Sequence, residues 1–133
     1  MKHVLTCPVS ALILLMAAGA LAQERQERIR FAPGATAATV TGSVTGYNDK
    51  QYVLGARTGQ ILSIDFRPSK SVLYYNVLKD GELLRDGSIE SNDKWSKALP
   101  KDGDYVIDVY LMRAEARYGT KATFKLTASI MGG

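Results

Sequence analysis

Cysteine and histidine are almost missing from this chain: of 133 residues, Cys7 is the only Cys and His3 the only His. Both lie near the N-terminus, inside a segment with the three parts of a secretory signal peptide. Met1, Lys2 and His3 form a basic start. Val9 to Ala22 is apolar except for Ser10, and the stretch closes on Ala20-Leu21-Ala22 before Gln23-Glu24-Arg25. That order of basic, apolar and small-x-small residues is read as a cleaved leader over residues 1–22. The apolar run is fourteen residues, short of the roughly 20 needed to cross a bilayer of ~30 Å. Cys7 precedes the apolar core, so it does not sit where a lipoprotein cysteine would.

Removing the leader leaves 111 residues, 23–133, without a single Cys or His. The expected mature chain then has no thiolate nucleophile, no imidazole base, no disulfide and no His or Cys metal ligand. It is expected to need no cofactor and no metal. Its stability must come from core packing, which a chain this long supports by burying roughly 65% of its unfolded surface. Charge of one sign is also never concentrated. The mature chain carries 16 Lys and Arg against 13 Asp and Glu, without a block of five or six like charges. A solvated surface fits this pattern; a nucleic-acid or membrane-surface binder would show a basic stripe.

Long helical periods are missing too, and period-two alternation takes their place. Val40 and Val44 share a face, as do Tyr52, Leu54 and Ala56. Leu62, Ile64 and Phe66 alternate with Ser63 and Asp65, and Val72 to Leu78 is rich in β-branched and aromatic residues. Tyr105, Ile107, Val109 and Leu111 form one face, and Ala122, Phe124, Leu126, Ala128 and Ile130 another. These are half-buried strands. Thr58-Gly59, Asp80-Gly81, Asp86-Gly87 and Asp102-Gly103 punctuate them as turns. Pro33, Pro68 and Pro100 fall between strands. The pattern predicts one all-β domain over residues 23–133, an antiparallel sandwich or jelly roll of seven to eight strands. Gln23 to Arg30 has no period and reads as a loose leader into the fold.

Little in this composition supports catalysis. Asp104 and Asp108 share a strand face, but four residues at ~3.3 Å separate them by roughly 13 Å, beyond the about 5 to 9.5 Å of paired glycosidase carboxyls. Asp102 reads as a turn former. Ser91-Asn92-Asp93-Lys94 has serine–lysine spacing but lies in a polar connection. Asp80, Asp86, Asp102 and Asp104 form no twelve-residue calcium loop. Trp95 precedes Leu99-Pro100 and reads as a core plug. The chain is therefore expected not to be an enzyme.

One connection is oversized. Met112-Arg113-Ala114-Glu115-Ala116-Arg117-Tyr118-Gly119 joins the two clearest strands. If Arg-Ala-Glu-Ala-Arg takes one helical turn, Arg113 and Arg117 project from the same side. The alternative is a solvated loop with a weak Arg–Glu pair.

Thr41-Gly42-Ser43-Val44-Thr45-Gly46-Tyr47, then Tyr52, Ala56, Gly59-Gln60, Leu99-Pro100, Gly103-Asp104-Tyr105, Val109 and the Arg113 to Arg117 loop together resemble the bacterial periplasmic inhibitors of g-type lysozyme. Part of this pattern, from Tyr52 to Gly59-Gln60 and from Leu99-Pro100 to Tyr105, is also similar to the pre-peptidase C-terminal modules of secreted enzymes. Those would make the chain a carbohydrate- or cell-wall-binding sandwich. Gly46-Tyr47 with Arg113 and Arg117 favours the inhibitors. The resemblance implies a periplasmic monomer or homodimer whose partner is a g-type lysozyme, with Tyr47, Arg113 and Arg117 as its partner-binding residues. The arginine loop would enter the lysozyme cleft, where a carboxylic acid carries the chemistry and guanidinium groups offer a fixed fork of donors.

The leader generates a direct prediction. The intact mass of protein recovered after export should correspond to residues 23–133; a mass retaining residues 1–22 would restore His3 and Cys7 to the mature chain.

Overall fold

The computed structural model describes residues 25–90 and 93–132, so the leader and the Ser91-Asn92 part of the polar connection lie outside the described residues. Nine strands and one helical turn follow in order: β1 (Gln26–Arg28), β2 (Ala37–Thr45), β3 (Lys50–Ala56), β4 (Ile61–Pro68), β5 (Leu73–Lys79), β6 (Glu82–Arg85), β7 (Lys94–Ala98), β8 (Gly103–Leu111), α1 (Arg113–Ala116) and β9 (Lys121–Met131). They form a sandwich of two sheets, ordered β1-β3-β8-β5-β6 and β2-β9-β4-β7. The all-β expectation holds. The strand count exceeds it by one, because β1, read as a loose leader, pairs parallel with β3 through Gln26–Gln51, Glu27–Tyr52 and Arg28–Val53. All three β1 residues are exposed, so no apolar alternation marks them. Ile29, just after β1, anchors the strand in the core and donates its N–H to the Val53 carbonyl at 2.8 Å; Arg28 also reaches Asp104 at 2.7 Å, and Arg25, just before the strand, reaches Asp49 at 2.8 Å.

Alternation places the core between the layers. Tyr52, Leu54, Leu62, Ile64, Phe66, Tyr105, Ile107, Val109, Leu111, Phe124, Leu126 and Ala128 are all buried. Four rings interlock across the layers: Tyr52 meets Phe124 edge-on with centroids 6.0 Å apart, Phe124 lies 5.7 Å from Phe66, and Phe66 lies 4.9 Å from Tyr75. Trp95 is partly buried against this core, as its position implied. Arg85 is 3% exposed; its guanidinium stacks 3.7 Å from the Tyr75 ring centre and donates to the Tyr75 and Glu90 carbonyls.

The turn dipeptides fold as their chemistry requires. Asp80 and Gly81 both take positive φ, 52° and 80°, the geometry that favours a two-residue hairpin, here joining β5 to β6. Asp102 Oδ1 accepts from the backbone N–H and the hydroxyl of Thr58 at 2.7 and 2.9 Å. That ties two neighbouring turns together and holds its carboxyl below the ordinary range.

Gly42 points into the core in mid-strand, opposite Phe124. A Cβ there would stand 2.7 Å from the Tyr52 hydroxyl and 2.8 Å from Phe124 Cζ, both in fully packed rings. Overpacking such a site costs about 1–3 kcal/mol. Gly42→Ala should lower the unfolding free energy by that amount, read as a lower urea midpoint with the m-value unchanged; an unchanged midpoint would mean that the two rings shift freely.

Candidate protein-binding site

Leu111, at the end of β8, is buried, and the Met112 N–H donates to the Val72 carbonyl at 2.8 Å. The chain then leaves the sandwich and makes the single turn α1. Ala116 and Glu115 donate back to the Met112 carbonyl at 2.9 and 3.0 Å. Ala116 is buried and anchors the turn, while Arg113, Ala114 and Arg117 remain exposed. Gly119, at φ 70°, ends the helical geometry as a C-terminal glycine does. The oversized connection is therefore one helical turn, and Arg113 and Arg117 stand four residues apart on it.

Glu115 is not spent on either arginine. Its Oε2 accepts the Thr120 hydroxyl at 3.0 Å, and among the described residues neither Arg113 nor Arg117 is in an ion pair. Arg117 lies 5.0 Å from the Tyr118 ring centre and donates to its hydroxyl at 3.2 Å. This contact limits the rotamers of Arg117 while leaving it exposed.

Tyr47 belongs to the same end of the molecule. Gly46 N–H donates to the Thr120 carbonyl at 2.9 Å, one rung beyond the Thr45–Lys121 pair of β2 and β9. Gly46 takes φ 58° and lies against the loop, its Cβ position 3.5 Å from the Ala116 carbonyl oxygen and 3.7 Å from Gly119 Cα. The structure thus gathers the turn carrying Tyr47 and the loop carrying Arg113 and Arg117. Tyr47 is 72% exposed and Tyr118 73%, and Met112 is exposed beside them. Tyr118 and Met112 were not singled out from the sequence, although two large side chains flanking Arg-Ala-Glu-Ala-Arg outside a strand were the available signal.

No family model matches the chain, and no curated protein matches it in sequence. Solved structures do. Aeromonas hydrophila PliG, a periplasmic lysozyme inhibitor of g-type lysozyme, is 34% identical with a TM-score of 0.71, over 80% of this chain and 96% of that one. The chain belongs to this inhibitor family. Salmonella Typhimurium PliG, also a periplasmic inhibitor of g-type lysozyme, shares the fold with a TM-score of 0.64 at 21% identity, over 80% of this chain and 98% of that one. The pre-peptidase C-terminal domain of a Bacillus anthracis collagenase shares it at 0.55 and 16%, over 81% and 96% of the two chains. The two inhibitors are not enzymes, and this family member is a binding protein rather than an enzyme.

The acidic groups fit that conclusion. Asp104 is paired with Arg28, which holds its carboxyl low. Asp108 is influenced by a residue that its own strand does not reveal, Asp49. Burial, then the Asp49 carboxylate, push the Asp108 carboxyl up to about 8, against the pull of Arg25 and Gln51. Asp49 is held low by Asp108 and Arg25, which outweigh its burial. Among the described residues no group of three or more His, Cys, Asp or Glu is arranged to hold a metal.

The pair makes stability depend on pH. Asp108 has a folded value raised above its ordinary one, so its favourable contribution is complete below about pH 4 and is lost as pH rises through about 8. Asp49 is shifted the other way, and its contribution is lost only in more acid solution. Asp108→Asn keeps a neutral donor beside Asp49, so its melting temperature relative to wild type should rise between pH 5 and pH 9. A constant difference across that range would show that Asp108 ionises freely.

Proposed function

We propose that the protein inhibits g-type lysozyme by offering Arg113, Arg117 and Tyr47 to the enzyme's active-site cleft. Family membership, through a relative 34% identical, carries the reading. It is supported by the meeting of the 46–47 turn and the 112–119 loop at one end of the sandwich, joined by the Gly46–Thr120 hydrogen bond. Loops on a rigid sandwich are a common seat for binding residues. Two guanidinium groups without carboxylate partners among the described residues suit a cleft whose chemistry rests on a carboxylic acid. The neighbouring tyrosines supply contact area at low entropic cost. The relatives are periplasmic inhibitors, and the same compartment is proposed here, with residues 1–22 as the removed leader.

Breaking one arm of a desolvated charge-assisted pair costs about 2–5 kcal/mol, mostly through faster dissociation. Arg113→Ala and Arg117→Ala should each weaken inhibition of g-type lysozyme in a lysis assay by more than about tenfold, with little change in melting temperature. Tyr47→Ala should weaken it as well, while Lys70→Ala and Lys94→Ala, outside the loop, should not. Wild-type potency in a folded double arginine variant would move the binding face elsewhere.

A further inference from the structure

A sandwich has four sheet edges, and three of these are guarded. β1 is three residues long and carries Glu27 and Arg28; β6 is four residues long and carries Glu82; β7 carries Lys94 and Lys97. Short length and charge are the usual protections of an unpaired strand against a second chain. The fourth edge has neither. β2 runs nine residues, Ala-Ala-Thr-Val-Thr-Gly-Ser-Val-Thr, without a charge or a proline. Its pairing with β9 proceeds through nine consecutive rungs without a bulge, and no described strand lies on its other side.

We propose that β2 pairs antiparallel with β2 of a second copy, about a two-fold axis at Thr41, joining two four-stranded sheets into one. The strand is self-complementary in that register. Thr41 faces Thr41, Thr39 faces Ser43, Ala38 faces Val44 and Val40 faces Gly42. On the outer face this sheet already links hydroxyls across strands, with Thr39 to Thr127 at 2.9 Å and Ser63 to Ser96 at 2.8 Å; Thr39 against Ser43 continues the same contact. On the inner face Ala38 and Val40 are only half-buried, because the core ends there, and a second copy would cover them. Nine rungs make roughly eight to ten backbone hydrogen bonds, in the range of about ten for a stable interface. Such an isologous pairing closes on itself. Tyr47 and the arginine loop lie beyond Thr45, about 13 Å along the strand from the axis. The two inhibitory ends therefore point in opposite directions, and dimerisation leaves both open.

Sedimentation equilibrium on the exported protein tests this, with Thr41→Glu and Thr41→Lys as variants. Thr41 stands opposite Lys125 within the chain, so Glu there suits the monomer but meets its own copy across the axis. Wild type should sediment as a dimer. Each variant alone should dissociate with a dimer constant weaker by about tenfold or more; Thr41→Glu should keep its melting transition and, as a monomer, its inhibition of lysozyme, while Thr41→Lys, facing Lys125, melts somewhat lower. An equimolar mixture of the two variants should re-form the dimer, since Glu then faces Lys. A wild type that stays monomeric up to its solubility limit overturns the proposal, as does a Thr41→Glu variant that dimerises like wild type. A mixture that stays monomeric overturns the register. Loss of lysozyme affinity in Thr41→Glu from a monomeric wild type would instead assign the edge to lysozyme.

Discussion

Thr45 lies opposite Lys121, and the next rung, from the Gly46 N–H to the Thr120 carbonyl, is where the β2–β9 ladder runs out. Both the gathered end of the sandwich and its open edge depend on that ladder. Its last rung fixes the turn carrying Tyr47 against the backbone of Ala116 and Gly119, so a residue from the first third of the chain meets a loop from the last quarter. Its one-sidedness leaves the other flank of β2 unpaired. Shifting the register by one residue would turn every β2 side chain to the opposite face, bury Thr41 and Ser43, and carry Tyr47 away from the arginines.

The long strands were legible because each has one buried face and one wet one. Tyr105, Ile107, Val109 and Leu111 announce β8, and Phe124, Leu126 and Ala128 announce β9. The edges carry no such signal. β1 is exposed at all three positions and is held by the buried Ile29 that follows it and by Arg28 to Asp104 and Arg25 to Asp49, contacts that no local alternation contains. β7, with four of its five residues exposed or nearly so, sits where the sequence reads as a polar connection. The same division runs through the site. The spacing of Arg113 and Arg117 could be read directly, whereas the capture of Glu115 by Thr120 and the influence of Asp49 on Asp108 depend on how distant segments meet.

The arrangement at the loop also bears on how much order it would lose or gain against any partner. Ala116 is buried, Glu115 is engaged by Thr120, and Arg117 rests on Tyr118. Each constraint removes freedom before any partner arrives, and side chains ordered in advance lose less entropy on association, by about 0.5–1.5 kcal/mol apiece. Arg113 has no comparable contact among the described residues, so in the proposed complex more of its ordering would fall at the moment of binding.

The strand order has a consequence in time. The middle of one sheet is β8, flanked by β3 and β5, and the middle of the other is β9, flanked by β2 and β4. Both come from the C-terminal third of the chain. Until residues 103–131 are free, the earlier strands have local hairpins to form but no sheet to join, and such non-local topologies assemble slowly. A polypeptide threaded N-terminus first across a membrane would remain unfolded for nearly its whole passage. The sandwich closes only when its last two strands arrive.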